Sequence, residues 1–174
     1  ISWSDQGGRL DGVQIMLNRN HIYLGHQFTD GFSVLDATDA RNIKPVKYIL
    51  TAANTSTRHL QVANDILLVA EGANVMAMQN YDDARSYFEN TLADSITKKV
   101  PFRAGLSVWD IKTDPKNPRE IAFLQLPGFG INRLWWTGGR YAYVAAHFDG
   151  FTDHVLGIVD VSNVTKPQLV SKAW

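Results

Sequence analysis

The sequence contains no cysteine, so disulfide staples and thiol nucleophiles are excluded, while no compartment is fixed. It has no charge excess either: 17 Lys and Arg balance 17 Asp and Glu. Nucleic acid as a principal partner requires a basic face, which this balance argues against. No apolar run is long enough to cross a bilayer as a helix. There is no Gly-rich phosphate loop and no HExxH metal motif. Ser33, Ser107 and Ser162 lie in no nucleophile elbow, which leaves serine hydrolase chemistry unsupported. No signal-peptide pattern is visible. The chain opens on Ile1 rather than Met, which leaves room for a segment removed by processing or truncation.

What is present is a repeat. Gly31-Phe32-Ser33-Val34-Leu35-Asp36, Gly105-Leu106-Ser107-Val108-Trp109-Asp110 and Leu156-Gly157-Ile158-Val159-Asp160 are apolar runs that each end in Asp. A polar turn and a proline follow each one: Pro45, Pro118 and Pro167. Proline lacks an N–H and suits the entry to an edge strand. The Asp side chain can accept from backbone N–H groups just ahead and close the turn, so these three Asp residues are read as structural. Two more strand-like runs precede each phrase. They are Val13 to Leu17 and Ile22 to Gly25, then His59 to Val62 and Ile66 to Val69, then Arg133 to Trp136 and Tyr141 to Val144. Short runs rich in β-branched and aromatic residues, split by turn signals, indicate antiparallel sheet. Four strands per unit of about 40 to 50 residues is the signature of a β-propeller blade.

The runs GFSVLD, GLSVWD and LGIVDVSN followed by KP resemble the repeat of the LVIVD-repeat β-propeller family. The resemblance implies an all-β fold of three four-stranded antiparallel blades over about 12–50, 58–124 and 131–174. Three blades do not close a ring, since propellers typically use about four to eight. The chain is therefore expected to be part of a larger propeller and not a stable monomer. The remainder would come from a second chain or a symmetry copy. Blade two carries an insertion over about 72–104. Within it, Asn80 to Lys98 is expected to be helical, with Tyr81, Ala84, Tyr87, Phe88, Leu92 and Ile96 near one face.

Propeller geometry brings the start of each inner strand to one mouth, together with the loop between each second and third strand. That places Arg58 and His59, Asn132 and Arg133, and Val13 and Gln14 around it. His26, His147, Asp149, Asp153 and His154 fall in the loops at the same mouth. Four of the 5 histidines thus share a face, with His21 at the other end. Histidine serves as acid, base or ligand near neutral pH. Arg58, Arg103 and Arg133 can hold a carboxylate or phosphate through paired N–H donors.

The expected function is an enzyme acting on a small polar or anionic substrate with an aromatic part. His59, His147, Arg133 and Asn132 are the catalytic candidates. Arg58, Asp149, Asp153, His154, Trp135 and His26 are the substrate-binding candidates. Trp135, Tyr87 and Phe148 suggest the aromatic part. One rival is a non-catalytic scaffold for protein partners. Another is a metal-dependent oxidase resembling selenium-binding-protein propellers. No cofactor is required by the sequence, although a His-bound transition metal fits the histidine count. The family pattern often has histidine at the position of Asn132, in an Ile-His-Arg run. Asn is a poor ligand for zinc or copper, which weakens the metal reading.

Overall fold

The computed structural model describes residues 3–74 and 101–174. Twelve antiparallel strands account for its regular structure, and there is no helix among the described residues. They form three units of four. The first is β1 (Gly12–Asn18), β2 (His21–His26), β3 (Gly31–Asp36) and β4 (Lys44–Leu50). The second is β5 (Thr55–Ala63), β6 (Ile66–Ala73), β7 (Gly105–Asp110) and β8 (Arg119–Gln125). The third is β9 (Gly130–Trp135), β10 (Tyr141–His147), β11 (Val155–Asp160) and β12 (Gln168–Ala173). Each unit is a meander in which every strand pairs with the next. A single residue pair, Gly72 with Gly130, joins the second meander to the third. The expected helix from Asn80 to Lys98, and Tyr87 with it, lies outside the described residues.

The turn chemistry follows the sequence. Asp36, Asp110 and Asp160 accept from the backbone N–H of Thr38, Lys112 and Ser162 at 2.9, 2.8 and 2.9 Å. Each carboxylate closes the turn after the third strand of its blade, as an Asx turn does. Gly31 and Gly105 open the third strands of blades one and two. A Cβ there would stand 2.1 Å from the Ile49 carbonyl and 2.0 Å from the Leu124 carbonyl. Only glycine lets the outer strand close to pairing distance at those points.

The blades stack face to face. Tyr23, Phe32, Val34 and Ile49 of blade one meet Leu60, Leu67, Val69 and Trp109 of blade two in one buried cluster. On the other side of blade two, Leu68, Leu106 and Val108 meet Leu134, Ala142, Val144 and Val159 of blade three in a second cluster. Alternation along each strand sends successive side chains to opposite faces, so blade two feeds both clusters at once. Polar bonds tie the same turns from blade to blade. Asn18 Nδ2 donates to Asp65 at 3.1 Å, and Asn64 Nδ2 donates to the Gly138 carbonyl at 3.1 Å. The innermost strands β1, β5 and β9 lie side by side, β1 next to β5 and β5 next to β9, which fixes the wall of the axial channel.

Gly31→Ala is expected to lower the unfolding free energy by roughly 2 kcal/mol or more, because the Cβ overlaps backbone that cannot move without breaking the β3–β4 ladder. A urea melt checks this; a midpoint unchanged from the parent would contradict it.

Candidate functional site at the propeller mouth

The register places one residue of each inner strand at an equivalent position. Gln14 pairs with Gly25, His59 with Ala70 and Arg133 with Ala145. Just ahead of each, the ladder is broken by a bulge: at Val13 in β1, at Thr57 and Arg58 in β5, and at Asn132 in β9. A bulge inserts an extra residue and re-aims its side chain. The mouth is therefore lined by a rung of Gln14, His59 and Arg133. Val13, Arg58 and Asn132 stand on the bulges next to it.

The rung is polar and positively charged. Gln14 reaches across to blade two, where its Oε1 accepts from the Leu60 N–H at 2.9 Å. His59 is half-buried, and its Nδ1 is buried without a hydrogen-bond partner among the described residues. Burial first, then the charges of Arg133 and Arg58, push its pKa down to about 4. His59 is thus neutral at pH 7. Arg133 Nη1 donates to Asn132 Oδ1 at 2.5 Å, and Arg58 Nε donates to Ser56 Oγ at 3.2 Å. Arg133 itself is exposed.

A second cluster lies at the end of β10. His147 is 7% exposed, and Nε2 meets the Phe151 carbonyl at 2.9 Å. Its ring stands 5.3 Å from that of Phe129 and 5.6 Å from that of His154. His154 Nδ1 is 2.6 Å from Asp153 Oδ1. The His154 backbone N–H and its ring hold the Asp153 carboxyl below the usual range. Phe102 stacks on Phe129 at 6.0 Å and extends this ladder of rings towards blade two. Asp149 is exposed on the same turn.

His59, Arg58, Arg133 and Asn132 are thus gathered on the inner strands. His147, His154 and Asp153 are gathered on the β10–β11 connection. Two of the expected substrate contacts sit elsewhere. His26 is 0% exposed inside blade one, with Nδ1 2.8 Å from Asp11 Oδ1 and Nε2 2.8 Å from Ser33 Oγ. Asp11 also accepts from the Phe28 and Thr29 N–H groups at 2.7 Å each. Burial raises the Asp11 pKa, but these bonds outweigh it and hold it at about 2. An ionised Asp11 only accepts, so Nδ1 of His26 donates to it and Nε2 is left to the Ser33 hydroxyl. Both ring nitrogens are occupied inside the blade. Trp135 is 63% exposed, but on the face of blade three away from blade two, beside Tyr143. Its neighbour Trp136 is the one packed between blades.

The residue that sequence reasoning missed is Glu71. It ends the β6 run with 0% exposure, and its two carboxyl oxygens lack a hydrogen-bond partner among the described residues. Arg103 Nε lies 3.1 Å away, at ion-pair distance. However, the two terminal nitrogens of Arg103 are given to Glu120 at 2.9 Å each. Burial outweighs the pull of Ser107 and Arg103, and the Glu71 pKa is pushed up to about 7. Glu71 in blade two and His26 in blade one occupy equivalent places, opposite the equivalent glycines Gly105 and Gly31. A buried polar residue stands at this position in both blades, bonded to the third-strand Ser33 in blade one but not to Ser107 in blade two. Among the described residues, no three His, Asp, Glu or Cys side chains converge as metal ligands.

The comparisons agree with this architecture. Residues 135–173 match the family model of the LVIVD repeat. That repeat builds β-propellers, and the match falls on the third blade. A Pseudomonas aeruginosa periplasmic gluconolactonase has a similar structure, with a TM-score of 0.61 at 10% identity over 94% of this chain. This chain spans 39% of that protein's length. The likeness shows the β-propeller fold. The N-terminal domain of Nup159 aligns over 94% of this chain and 48% of its own, at 5% identity and a TM-score of only 0.31, and carries no argument. No curated protein matches the chain.

His59 is expected to titrate near 4 by NMR of its ring protons, and Arg133→Gln to raise that value by removing a positive neighbour. A His59 pKa at or above 6.5 in the parent protein would contradict the geometry. Glu71 gives a second expectation. Its folded pKa, about 7, exceeds its ordinary value of 4.5. Its contribution to stability is therefore full below about 4.5, is lost as pH rises towards 7, and stays lost above. The slope is at most about 1.4 kcal/mol per pH unit. Urea melts across this window should show the slope in the parent and a flatter line in Glu71→Gln.

Proposed function

We propose that the mouth of this propeller binds a small anionic molecule with an aromatic part, and that His59 and His147 act on it by acid–base chemistry. The observation that carries this reading is the rung of Gln14, His59 and Arg133, with Arg58 and Asn132 on the bulges beside it. A general base must be unprotonated at working pH, and burial, with the two guanidiniums beside it, keeps His59 so. The same guanidiniums offer paired N–H donors to a carboxylate or phosphate. An anion seated between them would cancel part of their field at His59 and raise its proton affinity. Binding would then prepare the imidazole to take a proton from the substrate. Asn132, already aligned by Arg133, adds a neutral donor and acceptor. His147, with His154 and Asp153, supplies a second proton-transfer group from the loop, and Phe129 and Phe102 give the aromatic part a surface to stack on.

The fold alone does not choose the reaction. That a similar propeller is a gluconolactonase is compatible with a hydrolytic reaction here. The further blades that complete the ring would add the remaining walls of the site.

Binding of benzoate and of phenyl phosphate is measured by calorimetry on the parent, Arg133→Ala and His59→Ala proteins. Arg133→Ala is expected to weaken binding about tenfold or more, as for loss of a charge-assisted pair. Where a turned-over ester or lactone is found, His59→Ala should lower kcat by about 10²- to 10⁴-fold. Unchanged turnover in a folded His59→Ala protein would overturn the assignment.

A further inference from the structure

Arg103 ties the inner, second and outer strands of blade two together. Its backbone N–H donates to Thr55 Oγ1 of β5 at 2.9 Å. Its terminal nitrogens donate to the two carboxyl oxygens of Glu120 on β8, each at 2.9 Å, and its guanidinium lies 3.8 Å over the Phe123 ring of the same strand. Nε is left for Glu71 of β6, with Oε2 3.1 Å away. The residue before it, Phe102, stacks on Phe129, whose ring stands 5.3 Å from that of His147. Arg103 thus links a buried carboxyl to the aromatic ladder beside His147.

The charges of this cluster do not balance when both carboxyls are ionised. One guanidinium then faces two carboxylates. Glu120 keeps 31% of its side chain in water, whereas Glu71 has none. A buried anion with incomplete pairing is costly, and taking up a proton removes the charge. Ser107 gives no relief. Its Oγ accepts from Trp109 Nε1 at 2.8 Å and donates to the Val69 carbonyl at 3.5 Å. The ionisable groups that act on Glu71 are Arg103, from the segment before β7, and Glu120, from β8. His59 of β5 pairs with Ala70, the neighbour of Glu71, and so belongs to the opposite face of the sheet.

We propose that Glu71 and Arg103 form a proton-operated device that sets the affinity of the mouth for anions, which rests on the reading of the mouth as an anion site. With a proton on Glu71 the cluster is neutral, and Arg103 belongs to Glu120. When Glu71 ionises, blade two gains a negative charge and Glu71 competes for the guanidinium. Arg103 is drawn towards it, and Phe102 moves with Arg103. Both changes act against an aromatic anion: the new charge repels its acidic group, and the stack of Phe102 on Phe129 is disturbed. The folded pKa of Glu71, about 7, places the change in the neutral range. The proton is held below that value and lost above it, so anion binding is tighter on the acid side.

The Nε–H of Arg103 reports on the device directly and is read by nitrogen–proton NMR of the 174-residue chain. Its resonance should move with a midpoint near 7 in the parent. In Glu120→Gln, which removes the competing carboxylate, the midpoint should fall, and in Glu71→Gln the movement should vanish. Benzoate affinity is followed on the same proteins by calorimetry from about pH 6 to about pH 8. Over that range it should fall about threefold more in the parent than in Glu71→Gln. An Arg103 resonance that ignores pH in the parent, or that titrates alike in the parent and Glu71→Gln, overturns the device. A titrating Arg103 with equal benzoate profiles in the two proteins overturns its control of the mouth. Absence of benzoate binding from both proteins overturns the mouth reading and the link to it, while an Arg103 resonance that still titrates leaves the exchange between Glu71 and Arg103 standing.

Discussion

The structure depends on burying both faces of a twisted four-stranded sheet. An isolated sheet of this size is marginal in water, because it needs an apolar partner on each side that is not solvated. Blade two is the only described blade with a neighbour on both sides. Its strand β6 shows the result: Leu67 and Leu68, consecutive and facing opposite ways, are each fully buried. Everything else serves that stacking. The Asp turns shorten the connections, Gly31 and Gly105 let the outer strand close, and the turn-to-turn bonds at Asp65 and Gly138 set the stagger.

Stacking also makes the channel. Once the blades are fixed face to face, β1, β5 and β9 lie side by side, and their bulges put Val13, Arg58 and Asn132 next to the rung of Gln14, His59 and Arg133. Below that mouth the core is not wholly apolar. Asp11, His26 and Ser33 form a satisfied chain in blade one, whereas Glu71 in blade two is left with a shared arginine. A buried polar group with full partners stiffens its surroundings, and one without them is costly. The contrast puts the less satisfied carboxyl in blade two, the blade that also holds His59.

Much of the fold was legible because the repeat is written three times. Asp36, Asp110 and Asp160 could be read as turn residues from their shared place, and they are. The equivalent register of His59 and Arg133 was legible for the same reason, since equivalent positions in a repeat share a layer. Burial was harder to read. His26 looks like a loop histidine, yet its partners come from Asp11 and Ser33, which no local pattern ties to it. Glu71 hides at the end of an apolar run, and its counter-ion Arg103 returns only after the insertion. Trp135 and Trp136 differ by one step in an alternating strand, so period alone could not say which would be covered.

Local sequence sets the unit: the succession of short strands and the chemistry of the turns between them follow from alternation and from Asp, Gly and Pro at fixed offsets. Tertiary structure decided which faces meet, which polar groups are sealed beneath the mouth, and how the arginines act on His59. Those depend on distances between strands far apart in the chain, and the energy of a buried charge is set by what surrounds it in space rather than in sequence.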